Sequence, residues 1–404
     1  MSAYAIEFLS LLGRWVHLIT GIAWIGASFY FVWLDNHLMP PTDAALSRKG
    51  VGGELWAVHG GGFHNAQKYR VAPPELPGTL HWFYWEAYAT LLSGLFLLVL
   101  LYYGQAEIYL IDPHVAALSK PAAIAISVAF LAGGWLVYDA LCRSPLAARG
   151  ASLGGILALL LCGAAYALCH LFSGRGAFIQ FGAMLGTIMV ANVFFVIIPG
   201  QREMVRAKAE GREPDPQAGL RGKLRSVHNT YFTLPVLFTM LSNHYALTFG
   251  ARYNWLVLIA ISSAGALIRV YFVDRHKSQQ RGGKTSPWPA LLALLILAVT
   301  AVALAPRPAV SLSADQESAA ARFTAVQHIV ALRCAPCHSA TPIQPGFSVA
   351  PKGLMLDTPD AILTHAAVIA PQVQTRAMPI GNLTGMTDPE RAQLLDWIQR
   401  GTPH

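Results

Sequence analysis

Charge is what this chain has least of. Only 12% of its 404 residues are Asp, Glu, Lys or Arg, about half the share of a soluble domain. That excludes an ordinary water-soluble enzyme and a disordered chain, both of which need polar surface. Cysteine is also scarce. Of five cysteines, Cys142, Cys162 and Cys169 lie in apolar segments, which leaves no disulfide framework. A zinc site at the one CxxC would want a second CxxC or HxxxH. Acidic residues are the rarer sign, 21 against 29 Lys and Arg, for a net charge of +8. The basic residues sit in particular loops rather than on one amphipathic face. The expected partner is therefore a lipid bilayer and not a nucleic acid.

What the chain does have is apolar sequence, 54% of its residues. Runs of about 20 apolar residues suffice to cross hydrocarbon. They recur near 7–34, 82–104, 121–142, 151–173, 177–199, 228–249, 252–273 and 288–305, which predicts an all-α fold with an eight-helix transmembrane bundle. The first run reads as a span rather than a cleaved signal, being too long and lacking a basic leading segment. Lys and Arg concentrate in the loops after spans 1, 3, 5 and 7, whereas the loops after spans 2, 4 and 6 carry only Lys120, Arg175 and Arg252. The positive-inside rule then places both termini outside. In a bacterial inner membrane that is the periplasm.

Residues 1–305 thus form the expected membrane domain, 306–313 a Pro- and Ser-containing linker, and 314–404 a small α-helical domain of class I cytochrome c type. That last domain holds Cys334-Ala335-Pro336-Cys337-His338, a c-type haem attachment pattern. Cys334 and Cys337 would form the thioethers and His338 would be an axial ligand. Met378, followed by Pro379, is the expected sixth ligand, with Met355, Met386 and His365 as competitors. Thr358-Pro359-Asp360 and Thr387-Asp388-Pro389-Glu390 read as helix starts.

Polar groups at membrane depth are costly and by default mark sites. In span 1, Arg14, His17, Gly21, Trp24 and Ser28 share a helical face. The small residues Gly21 and Gly26 could admit a close helix or a flat ligand. His17, His81, His170, His228 and His244 are candidate ligands of a b-type haem or a metal, or else hydrogen-bonded packing residues. The long loop 35–81 carries His64, Asn65, Lys68 and Arg70, and long loops are often functional. Glu86 stands just inside span 2 and needs a partner, for which Arg269 is the candidate. Asn229 and Asn243 fall on one side of span 6 and Asn192 lies in span 5.

The stretches Trp15-Val16-His17-Leu18, Gly21 to Gly26, Leu80 to Glu86, His228-Asn229-Thr230-Tyr231 and Ser242-Asn243-His244-Tyr245 together resemble the bacterial membrane-bound urate hydroxylases. That family joins an eight-helix membrane domain to a C-terminal cytochrome c, and the likeness covers essentially the whole chain. The resemblance implies oxidation of urate to 5-hydroxyisourate in purine breakdown, with electrons passed to haem c and no hydrogen peroxide made. It carries no assignment of active-site residues in the membrane domain.

On this basis one covalent haem c is the expected cofactor, with a b-type haem in the membrane domain as the expected intermediary. The expected electron acceptor is a downstream cytochrome c or a terminal oxidase. Substrate would lie between loop 35–81 and spans 2 and 6. Arg70 or Lys68 would pair with the anion, and Asn65, Asn229 and Glu86 would bond its edge. His64, His228 or Glu86 would be the general base. The alternative from another class is a non-catalytic electron carrier, a cytochrome c tethered to a respiratory chain by its helices.

Overall fold

The computed structural model describes residues 3–280, 283–305, 318–345, 347 and 349–404. The expected linker 306–313 lies outside the described residues. The chain begins with α1 (Ala3–Asp35) and the short α2 (Ala44–Arg48), then β1 (Val51–His59) and β2 (Gly62–Tyr69). Next come α3 (Trp85–Leu97), α4 (Ala106–Tyr109), α5 (Lys120–Arg143), α6 (Gly150–Leu171), α7 (Gly174–Asn192), α8 (Ile198–Ala209), α9 (Pro216–Ser242), α10 (Ala246–Phe249), α11 (Asn254–Gln280) and α12 (Trp288–Leu304). The C-terminal part contains α13 (Ala319–Arg333), α14 (Pro359–Gln374) and α15 (Asp388–Gln399).

Among the described residues, six helical stretches are long and apolar enough to cross a membrane: Tyr4–Asp35, Trp85–Tyr103, Lys120–Arg143, Gly150–Leu171, Gly174–Ala209 and Asn254–Arg275. α12 is apolar but has only 17 residues. α9 has 27 residues, but its first turns carry Arg221, Lys223 and Arg225. Each expected run contains a helix in this structure, though the one expected over 228–249 breaks at 243–245, between α9 and α10. Length separates α12 from the six, and polar and charged residues separate α9.

α7 is the buried centre of the bundle. Residues Phe178, Phe181, Met184, Leu185, Ile188 and Met189 are all in the core. α5, α6 and α9 pack around it and α11 packs on α9 and α12. α1 packs mainly on α3 and leaves Leu11, Trp15, Leu18, Ile19 and Ile22 exposed, as a lipid-facing helix would. Both α3 and α7 pass into π-helical turns, at Leu98–Tyr103 and Val193–Ile197.

The loop expected after span 1 is not irregular. It holds an antiparallel hairpin in which Val58 faces Phe63 and Trp56 faces Asn65, so the fold departs from all-α. Gly60 and Gly61, at φ +60° and +81°, make the two-residue turn whose twist matches a hairpin. The alternation of Trp56 and Val58 with smaller residues supplies the strand pattern.

The bundle has a basic end, where α1, α5, α7–α8 and α11 finish, and a sparse end, where α3, α6 and α9 finish. The C-terminal helices form their own core around Val326, Ile329, Leu356, Ile369, Leu394 and Trp397. The turn Ile380–Asn382 lies against α4 at the sparse end. There Glu107, His114 and Lys120 face Asn382, Leu383 and Gly385 across a cleft of about 460 Å³.

Candidate functional site

In the C-terminal part, α13 runs directly into the cysteine motif. Cys334 N–H donates to Val330 O at 2.8 Å, and His338 N–H donates to Cys334 O at 2.9 Å. One continuing helical turn therefore sets Cys334 and Cys337 on the same side. Burial pushes the Cys334 thiol up to about 11 and raises Cys337 as well. His338 Nδ1 donates to Leu354 O at 2.9 Å, which leaves Nε2 as the free ligand nitrogen. Thr358 and Thr387 cap α14 and α15 as expected, the latter in a capping box with Glu390.

Met378 sits in the loop between α14 and α15, and two arginines hold that loop. Arg391, buried in α15, donates to Met378 O at 2.7 Å and Val373 O at 3.2 Å. Arg333 donates to Thr384 O and pairs with Glu390 at 3.0 Å. Of the competing methionines, Met386 is in the core and Met355 is half exposed. The residues fit a covalently held haem: two thiols on one turn, an oriented imidazole and a fixed methionine loop. Sequence reasoning missed Arg333 and Arg391. Their signal was slight, an arginine one residue ahead of the motif and another beside Glu390.

In the bundle, the basic end of α5, α7 and α9 holds a buried polar cluster. Arg225, 3% exposed, donates to Asp139 Oδ1 at 2.6 Å and Asn192 Oδ1 at 3.4 Å. Its guanidinium also lies 4.9 Å from the Tyr138 ring centre. Asn192 Nδ2 donates to Asn229 Oδ1 at 2.8 Å and the Tyr138 oxygen at 3.2 Å. Asn229 Nδ2 donates to Met189 O at 3.0 Å. The π-helical turn after Asn192 belongs to a class often found at functional sites. Asn192, Asn229 and His228 were expected at membrane depth. Tyr138, Asp139 and Arg225 were missed, because Arg225 counted as a loop cation although it lies one turn before His228.

The other expected residues are dispersed. His17 Nδ1 lies 3.0 Å from both Thr90 O and Ser93 Oγ of α3, so it packs between the two helices with Nε2 unassigned. His81, His170 and His244 are exposed, and His170 Nδ1 turns back to Tyr166 O at 2.7 Å. Among the described residues no three His, Cys, Asp or Glu side chains gather as a metal site. In the hairpin, Lys68 pairs with Asp35 at 2.5 Å and Asn65 Nδ2 donates to Glu54 Oε2 at 3.1 Å. His64 Nε2 lies 3.0 Å from His59 O, and Arg70 is exposed. Asn229 bonds to Asn192 and Met189 O of α7. Asn243 accepts from Tyr102 at 3.2 Å near the sparse end. A Cβ on Gly21 or Gly26 would meet nothing within 4 Å, so neither glycine serves close helix packing.

Glu86 and Arg269 form no ion pair among the described residues. The Arg269 guanidinium instead lies 3.9 Å from the ring centre of Phe29.

The family model described as urate oxidase N-terminal matches residues 3–304, the stretch from α1 to α12. No curated protein and no solved structure matches the chain.

Proposed function

The chain belongs to the urate oxidase N-terminal family, and on that premise we propose that it hydroxylates urate to 5-hydroxyisourate and delivers the electrons to a c-type haem on Cys334 and Cys337. The match over residues 3–304 carries the substrate class. The thiols, imidazole and methionine loop at the C-terminus support the electron exit. Hydroxylation at C5 by water releases two electrons and two protons, and no hydrogen peroxide forms.

The bundle is a multi-pass membrane unit, and we propose eight spans, with α9 and α12 joining the six most apolar helices. The basic end would face the cytoplasm of a bacterial inner membrane and both termini the periplasm. The packing of Ile380–Asn382 on α4 supports this arrangement. It sets the methionine loop at the sparse end, opposite the basic loops. A haem c would accept electrons one at a time when bound. His338, through Nε2, and Met378 would hold the iron, with Arg391 fixing the Met378 carbonyl. A b-type haem remains part of the proposal. Among its expected ligands, His17 has Nδ1 fixed by α3 and Nε2 left over.

Glu86, at the first turn of α3 and without an ion pair among the described residues, is proposed as the general base for water. His228 is set up as a donor instead, since its Nδ1 is taken by the Tyr138 hydroxyl. The acceptor beyond haem c would be a soluble cytochrome c or a terminal oxidase, reached from the sparse end.

Anaerobic addition of urate to the purified oxidised protein tests the proposal. Reduction of its own haem, with 5-hydroxyisourate formed and no peroxide, is the expected result. A haem that ascorbate reduces and urate does not would leave only the tethered electron carrier. Total iron and the reduced-minus-oxidised spectrum decide the haem b: one iron per chain with c-type bands alone removes it.

A further inference from the structure

Arg269 differs from the other deeply placed cation. Arg225 has Asp139 and Asn192. Arg269 has no carboxylate partner among the described residues. Its Nε is one of two buried side-chain polar atoms without a hydrogen bond there, the other being Ser262 Oγ. A guanidinium at membrane depth is expensive, and an unpaired N–H adds to that cost.

The two orphan atoms belong to one stripe. Ser262, Gly265 and Arg269 follow i, i+3, i+7 spacing and share a face of α11. That face turns toward α9, because a Cβ on Gly265 would come within 3.0 Å of Leu234 Cβ and 3.4 Å of Pro235 Cδ. Pro235 is inside α9 and has no N–H, so the carbonyl of Tyr231, one turn earlier, has no helical donor. Tyr231 is within electrostatic reach of both the Asp274 carboxylate and Arg269. The Phe29 ring of α1 covers the guanidinium at 3.9 Å.

Three helices thus bring together a cation without a hydrogen-bond acceptor among the described residues, a backbone carbonyl without its helical donor and an aromatic face. The complementary molecule is flat and anionic, with acceptors and an N–H donor along one edge. Urate has that edge: ring carbonyls and delocalised negative charge for the guanidinium fork, and a ring N–H for a carbonyl. We propose that Arg269 anchors the urate anion between α1, α9 and α11, with Tyr231 and Phe29 completing the site. The inference rests on the urate-oxidising reading above and replaces Arg70 or Lys68 as the anion's partner.

The test is equilibrium binding of labelled urate to the detergent-purified full chain, pre-reduced and anaerobic so that no turnover occurs. Wild type binds saturably, and Arg269→Gln loses about 10- to 100-fold in affinity, the worth of one charged hydrogen-bonded contact. Hypoxanthine, a neutral purine, binds both forms alike. Equal urate affinity in the two proteins overturns the proposal, as does an equal loss of urate and hypoxanthine, which would mark Arg269 as structural or a holder of lipid phosphate. If Arg269→Gln does not accumulate, phenylglyoxal modification of wild type decides: urate slows it at Arg269, and no protection there overturns the site. A wild type that neither binds nor oxidises urate removes the substrate reading itself, a result distinct from failure at Arg269.

Discussion

The Tyr138 hydroxyl donates to His228 Nδ1 at 2.8 Å, and a chain of donors ending at Arg225 fixes that direction. Arg225 can only donate, so the atom facing it is the Asn192 oxygen. Asn192 then presents its NH₂ to Tyr138, whose own hydrogen goes to His228. The imidazole is left neutral with its proton on Nε2. Removing the hydroxyl in Tyr138→Phe strands an amide hydrogen and leaves His228 Nδ1 only the Cys142 thiol at 3.9 Å. A loss of about 1–3 kcal/mol is expected, measured as thermal unfolding in detergent. Unchanged stability would mean that the cluster does not hold α5, α7 and α9 together.

Arg225 has the larger effect. Arg225→Ala leaves Asp139 to Arg143 alone, a partner exposed to 66% and 2.6 Å away, and leaves Asn192 Oδ1 without its donor. A cost of about 3 kcal/mol is expected, the low end for breaking a buried pair because Arg143 remains. Arg225→Lys recovers little, since an ammonium lacks the fork that reaches both Asp139 and Asn192. Unfolding midpoints of the two variants beside wild type check this.

Arg391→Ala frees the Met378 and Val373 carbonyls together. With the proposed haem c bound, the loosened methionine loop would weaken the methionine-to-iron band of the oxidised protein and lower the reduction potential, while the haem would stay attached through its thioethers. A redox titration beside a denaturing gel stained for haem separates the two effects. An unchanged potential would show that Met378 is not the ligand that Arg391 positions.

Glu390 predicts a pH dependence. Burial acts to raise its carboxyl, and the Thr387 N–H and the Arg333 guanidinium outweigh it, so the group is held below the usual carboxylate range. A depressed carboxyl binds protons more weakly in the native than in the unfolded state. Its stabilisation is therefore complete above the ordinary carboxylate range and is lost as pH falls through that range toward the depressed value. Acid titration of the C-terminal near-UV signal should show this loss in wild type and a flatter profile in Glu390→Gln. Parallel profiles would show that Arg333–Glu390 contributes nothing.

Much of the molecule was legible in residue order because the signals are local. Apolar runs gave the helices, and Thr358 and Thr387 gave the starts of α14 and α15 through short-range caps. CxxCH needs only one turn of helix to bring its groups together. The hairpin was also local, since Gly60-Gly61 lies between alternating segments, yet the histidines around it drew attention to binding instead. Its polar residues pair among themselves and with Asp35, as the ends of a solvated hairpin do.

The sequence by itself determined a membrane bundle, a basic and a sparse end, and a pair of thiols on one turn, because periodicity, composition and adjacent residues act over a few turns. Only the tertiary structure decided which polar groups meet. Tyr138, Asn192 and His228 come from three helices, and so do Phe29, Tyr231 and Arg269. Helix rotation and packing bring them within a few ångströms, and neither leaves a mark on local spacing. The same packing decided that Glu86 and Arg269, which charge alone would pair, form no ion pair among the described residues.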